Sequence, residues 1–142
     1  MSRILVRLIA ALWCGALWCV GALVAPALFG TLDPAAAGRV VAVIFPNLAT
    51  AGLVAAVLLL IVDRVGGGTA LGTAGRRTVL LMAVGVGVGY FGIQPLMDHG
   101  RQLLRAGQDV PFWADFGTLH GVSTLIYLLV ALLALRLVAV VR

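Results

Sequence analysis

Polarity along the chain changes in long blocks and not in the short alternation of a strand. Four apolar runs, about residues 5–29, 40–62, 78–97 and 117–140, are separated by short polar or glycine-rich intervals. Crossing a hydrocarbon core about 30 Å thick takes roughly 20 helical residues, so each run is long enough to span a bilayer. Backbone groups in lipid must be satisfied internally, which makes these runs helices. The pattern predicts an all-α integral membrane four-helix bundle, one four-span domain over residues 1–142.

The stretch from Ala25 to Asn47 organises the first half. Pro26 and Pro46 are expected to bend two helices around a short polar crossing that contains Asp33 and Arg39. A second crossing, from Asp98 to Asp115, is entered through Pro95 and left through His120. In the second run Asn47, Thr50 and Val54 fall on one helical face, a polar stripe expected to turn inward. Gly85 and Gly89 in the third run, and Gly117 and Gly121 in the fourth, have the small-xxx-small spacing that lets helix backbones approach. His120, Thr124 and Tyr127 make a further polar stripe at helical spacing. The interval from Val65 to Gly75 holds five glycines. With no preceding strand and no Lys-Ser/Thr pair, it reads as a flexible connector and not as a nucleotide cradle.

Composition removes the soluble alternatives. A chain 63% hydrophobic and 11% charged, with mean hydropathy +1.16, has too little polar surface to cover a 142-residue globule. Its partner is the lipid bilayer. The ten basic residues are all Arg and the five acids all Asp, for a net charge of +5. These charges flank apolar runs without interleaved aromatics, so they report orientation and not nucleic-acid binding. Arg3, Arg7, Arg64, Arg76, Arg77, Arg136 and Arg142 fall on one side, and Arg39, Arg101 and Arg105 on the other. The imbalance predicts both termini in the cytoplasm. A cleaved signal peptide competes for the first run, but that run exceeds a signal core and Pro26 lies where cleavage would occur.

Candidate chemistry gathers toward the two crossings. Pro26, Phe29, Pro46, Asn47, Pro95, Met97 and His120 are expected to form an outward-facing cluster, because irregular backbone at membrane depth is tolerated where it lines a cavity. The competing reading is that prolines simply accumulate near membrane-helix ends. His120 suits a ligand, a proton relay or a hydrogen bond between helices. Met97, His99 and His120 offer thioether and imidazole groups suited to copper, and the two histidines are a candidate pair of haem ligands. Neither set has fixed metal-site spacing, so no resident cofactor is assigned. Cys14 and Cys19 are about 140° apart on a helix and cannot easily pair. Ser123 follows His120 by three residues with no further base nearby in sequence, so no catalytic triad is visible. The reading is non-enzymatic.

Particular residues carry a family likeness. The run Ala25-Pro26-Ala27-Leu28-Phe29, then Leu32, Ala37-Gly38 and Phe45, is followed by Pro95-Leu96-Met97 and by Phe116 with Leu119-His120-Gly121-Val122-Ser123. In that order they resemble the small four-span proteins typified by transmembrane protein 205, labelled in bacteria domain of unknown function 4149. The matching positions are Pro26, Phe29, Gly38, Pro95 and His120. The resemblance implies a four-helix membrane bundle with no established activity or cofactor, and so no catalytic residues to carry over. Members often place an Asn one to two turns after the Leu-His pair, where Tyr127 stands here.

Together these readings point to a multi-pass protein of the bacterial inner membrane. Its expected role is to handle a small solute, ion or lipid at the outward cluster. It would otherwise assist a homo-oligomer or larger membrane complex through the Gly85/Gly89 face. The alternative is a copper or haem redox protein using His99, His120 and Met97.

Overall fold

The computed structural model describes residues 2–141, so Arg142, counted above with the connector-side arginines, lies outside the described residues. Among them the regular structure is helical: α1 (Ser2–Cys19), α2 (Ala25–Thr31), α3 (Pro34–Val65), α4 (Gly72–Gly87), α5 (Gln94–Arg105) and α6 (Phe116–Val140). A π-helical segment, Val20–Val24, joins α1 to α2, and a second, Val88–Ile93, joins α4 to α5. Four continuous helices result, Ser2–Thr31, Pro34–Val65, Gly72–Arg105 and Phe116–Val140, each long and apolar enough to cross a membrane. The expected runs fall within these helices, the second and third of which extend well beyond them.

The two hairpins repeat one device. Each π-helical segment ends two residues before a proline, Pro26 in the first hairpin and Pro95 in the second. Proline lacks an N–H and its ring collides with the carbonyl one turn earlier. A wider π turn carries an extra residue past that point, so the helix continues through the proline. Each return helix then starts on an aspartate. Asp33 Oδ1 accepts from the Ala35 and Ala36 amides at 3.0 and 2.9 Å, and Asp115 Oδ2 accepts from the Thr118 amide at 2.9 Å.

This geometry corrects the first crossing. Only Leu32 and Asp33 separate α2 from α3, and Arg39 lies on the helix. Asp33 serves as the N-cap, with Pro34 at the first helical position, and forms no ion pair with Arg39. The local signal was an Asp-Pro pair, a preferred helix start.

Packing is concentrated at the end that holds the connector. One core joins Val6, Ala10, Trp13 and Leu17 of α1 to Ala56 and Leu59 of α3, Val79 and Met82 of α4, and Val130, Ala134 and Leu137 of α6. Gly52 lets the Trp13 indole lie on α3, for a Cβ there would sit 2.9 Å from Nε1. That Nε1 is the buried side-chain polar atom with no acceptor among the described residues. Cys14 is buried, Cys19 exposed, and both are free thiols.

Candidate functional site

The connector is a hydrogen-bonded structure, contrary to the flexible linker expected from its glycines. Asp63, 1% exposed, accepts through Oδ1 from the Ala70 and Leu71 amides at 3.0 and 2.9 Å. Its Oδ2 takes the Arg76 Nε–H at 2.8 Å, and Arg76 Nη2 donates onward to the Gly68 carbonyl at 2.9 Å. Gly67 and Gly68, at φ +84° and +72°, supply the left-handed turns that bring the chain back over the carboxylate. Ala70 and Leu71 are thereby buried in the main core. Arg136 Nη1 donates at 3.0 Å to the buried Thr78 hydroxyl, which itself bonds the Ala74 carbonyl. Ser2 lies against Gly66, and Val141 joins the core with Ala70 and Leu71. Both described chain ends therefore share the connector's end of the bundle.

The opposite end, at the hairpin tips, is organised differently. There α2 packs on α3, and α5 packs on α6 and on the 3-10 turn Phe112–Ala114. Phe45 and Tyr127 meet with ring centroids 5.4 Å apart. Each lies 11 residues into its helix, about 16 Å from the tip. Tyr127 also donates its hydroxyl to the Leu17 carbonyl, and Trp18 Nε1 donates to the Ala131 carbonyl at 3.1 Å. Above that level the main contacts run within each hairpin, α2 with α3 and α5 with α6. On the α6 face above Tyr127, Phe116 and His120 fall within about 20° of its direction and Ser123 and Thr124 within about 60°. On α3, Gly38 and Val41 fall on the face above Phe45, within about 40° of its direction. A Cβ on Gly38 or Gly121 would meet open space.

The polar atoms on that α6 face are partly committed. Ser123 and Thr124 both donate to the His120 carbonyl, at 2.9 and 2.8 Å. The His120 ring stacks on Phe116 with centroids 5.6 Å apart and planes 9° from parallel, and the Arg101 guanidinium lies 5.0 Å from the same Phe116 ring. Arg101 is held in turn by Asp98 at 3.1 Å. His99 stacks on Trp113 at 6.2 Å.

The residues of the expected outward cluster all lie toward the tips, but on separate hairpins. Pro26, Phe29, Pro46 and Asn47 belong to the first, and Pro95, Met97 and His120 to the second. Met97 is buried with Ile93 and Leu119 in a small core of the second hairpin, whereas His99 and His120 are exposed. Two residues apart on a helix, Met97 and His99 point about 160° apart. The candidate copper set is thus spread over different faces.

Three other expectations are corrected. Asn47, Thr50 and Val54 face outward, because Asn47 and Thr50 bond the Val43 and Pro46 carbonyls of their own helix at 2.9 Å each. Such a stripe needs no partner helix. Gly85 is a packing glycine within the chain, where a Cβ would meet Val130 at 2.7 Å, but Gly89 meets nothing because it falls in the π-helical segment, which turns it off that face. Gly121 also lacks a neighbour, and Gly117 meets only the Asp115 carboxylate. The close approach that sequence reasoning missed is Gly100, where a Cβ would strike the Ala114 carbonyl. Its signal was a lone glycine inside an amphipathic helical pattern.

No curated protein and no solved structure matches the chain. A family model described as Domain of unknown function (DUF4149) matches residues 8–103, from the first turns of α1 to the last of α5. With four apolar helices and about two thirds of its length under that match, the chain is a membrane protein that belongs to the DUF4149 family.

Proposed function

We propose that this is a non-enzymatic protein of the bacterial inner membrane, with both termini cytoplasmic, that holds an amphipathic lipid between its hairpin tips on the outward side. One observation carries the reading: the helices share a core at the connector end, whereas above Phe45 and Tyr127 their main contacts stay within each hairpin. A cleft between two hairpins in a bilayer opens sideways to lipid as well as upward to water. Its α6 wall offers the His120 imidazole and the Ser123 and Thr124 hydroxyl oxygens, and the α3 wall offers Gly38 and Val41. That mixture suits a polar head with an apolar tail better than a bare ion, which would need an enclosed set of ligands. The positive-inside count supports the orientation, with Arg3, Arg7, Arg64, Arg76, Arg77 and Arg136 at the connector end against Arg39, Arg101 and Arg105 toward the tips.

The test fills the cleft. Thr124→Trp is expected to abolish crosslinking of a photoactivatable phospholipid to α6 while leaving the unfolding temperature in detergent unchanged. Equal crosslinking in the variant and the parent would reject the cleft as the binding place. For the orientation, a membrane-impermeant maleimide applied to intact cells is expected to label Gln108→Cys and to spare Thr73→Cys. The reverse pattern would invert the topology.

A further inference from the structure

The connector end carries a second feature, at the opposite end from the cleft and independent of it. Leu60, Ile61, Arg64, Val65 and Arg76 line an open groove of about 430 Å³ along the ends of α3 and α4. Its wall is apolar and uncovered: Ile61 is 52% and Val65 83% exposed. Its rim is two guanidinium groups. Arg76 is fixed, with Nε on Asp63 and Nη2 on the Gly68 carbonyl, so the N–H groups of Nη1 remain available on a fork that has already lost its freedom. A pre-oriented guanidinium forfeits less entropy when it takes a ligand. Arg64 has no hydrogen-bond or ion-pair partner among the described residues.

We propose that Arg64 and Arg76 bind the phosphate of an anionic glycerophospholipid in the leaflet at the connector end, with its acyl chains lying on Leu60, Ile61 and Val65. Paired guanidinium groups match phosphate oxygens in geometry and charge. The apolar wall argues for a lipid over free phosphate, because an inorganic ion makes no use of it. The sign of the surroundings argues for an anionic lipid over a zwitterionic one. Arg3, Arg7, Arg77 and Arg136 stand at the same end, where Asp63 is the lone acid among the described residues. A choline ammonium would be placed in that positive field. Basic pockets between membrane helices are the usual form of such sites.

Native mass spectrometry of the purified full chain, released from nanodiscs of mixed phosphatidylglycerol and phosphatidylcholine, tests the assignment. Phosphatidylglycerol is expected to be retained about fivefold or more over phosphatidylcholine, the discrimination one arginine near an anionic lipid surface supplies. Arg64→Gln, which removes an exposed and unpartnered side chain, is expected to erase that preference, and Arg77→Gln, the same charge change outside the groove, to keep it. Ile61→Trp, which fills the wall and leaves both arginines, is expected to erase it as well. Equal retention of the two lipids would overturn the proposal, as would equal losses in the Arg64 and Arg77 variants. Displacement of phosphatidylglycerol by inorganic phosphate would overturn it in favour of a simple anion site.

Discussion

The two ends of this bundle are built on different principles. At the connector end four helices share one apolar core, and the single buried acid there, Asp63, ties the return loop to the helix it leaves. At the tip end each hairpin is finished by local devices, a π-helical segment ahead of a proline and an aspartate cap, and the second adds ring stacking of His99 on Trp113 and of His120 on Phe116. The contrast separates tertiary stabilisation from local stabilisation within one chain. Substitutions at the first end act on the whole bundle, and those at the second act on one hairpin.

The largest effect is expected where that contrast is sharpest. Asp63→Ala leaves the buried Ala70 and Leu71 amides without acceptors and strands Arg76. An unsatisfied buried donor costs about 1–3 kcal/mol. The stranded guanidinium adds less than a fully buried charge would, because the Arg76 side chain is 41% exposed. A loss of about 2–4 kcal/mol in reversible detergent unfolding is expected. Asp63→Asn, which keeps one acceptor oxygen, should lose less than the alanine variant. A loss under about 1 kcal/mol for alanine would mean that the connector does not tie the bundle together.

Next in size is a pair of glycines four residues apart. Gly85→Val drives a side chain into Val130 at the contact between α4 and α6, and overpacking of that kind costs about 1–3 kcal/mol. Gly89→Val enters open space and is expected to stay within about 0.5 kcal/mol of the parent. Equal penalties at both positions would show that the π-helical segment does not turn Gly89 away from the contact.

That pair also shows where legibility ended. Four spans were readable because length and apolarity decide them before any tertiary contact does. The register of Gly89 was not, because it depends on one extra residue per turn that no spacing in the sequence announces. The Asp63 site was hidden for a related reason: two of its three partners are backbone amides seven and eight residues on, which carry no sequence identity, and the third, Arg76, lies beyond a glycine-rich stretch that reads as a linker. Asn47 and Thr50 misled because a polar side chain in an apolar run has two solutions, a neighbouring helix or its own backbone, and the pattern is the same for both. The aspartate caps were the opposite case. Asp33 before Pro34 spelled out a helix start that the surrounding alanines and Gly38 obscured.

The smallest effect concerns that cap. Asp33→Ala removes two hydrogen bonds at an exposed helix start, and such a loss costs about 1 kcal/mol. Asp33 and Asp63 both accept two backbone amides through a single oxygen, but Asp63 also holds Arg76 through its other oxygen and is buried. At the tip, where Asp33 is exposed, water and lipid headgroups replace the lost acceptor. At the connector, nothing replaces it, and the loop that loses its anchor carries Ala70 and Leu71 out of the common core. The ratio of the two penalties therefore measures how far the ends differ. Hydrogen exchange should show the same asymmetry, with Asp33→Ala speeding exchange in the first turns of α3 alone and Asp63→Ala speeding it in all four spans. Exchange spreading through the bundle from Asp33→Ala would mean that the tips are coupled to the core through the cleft after all.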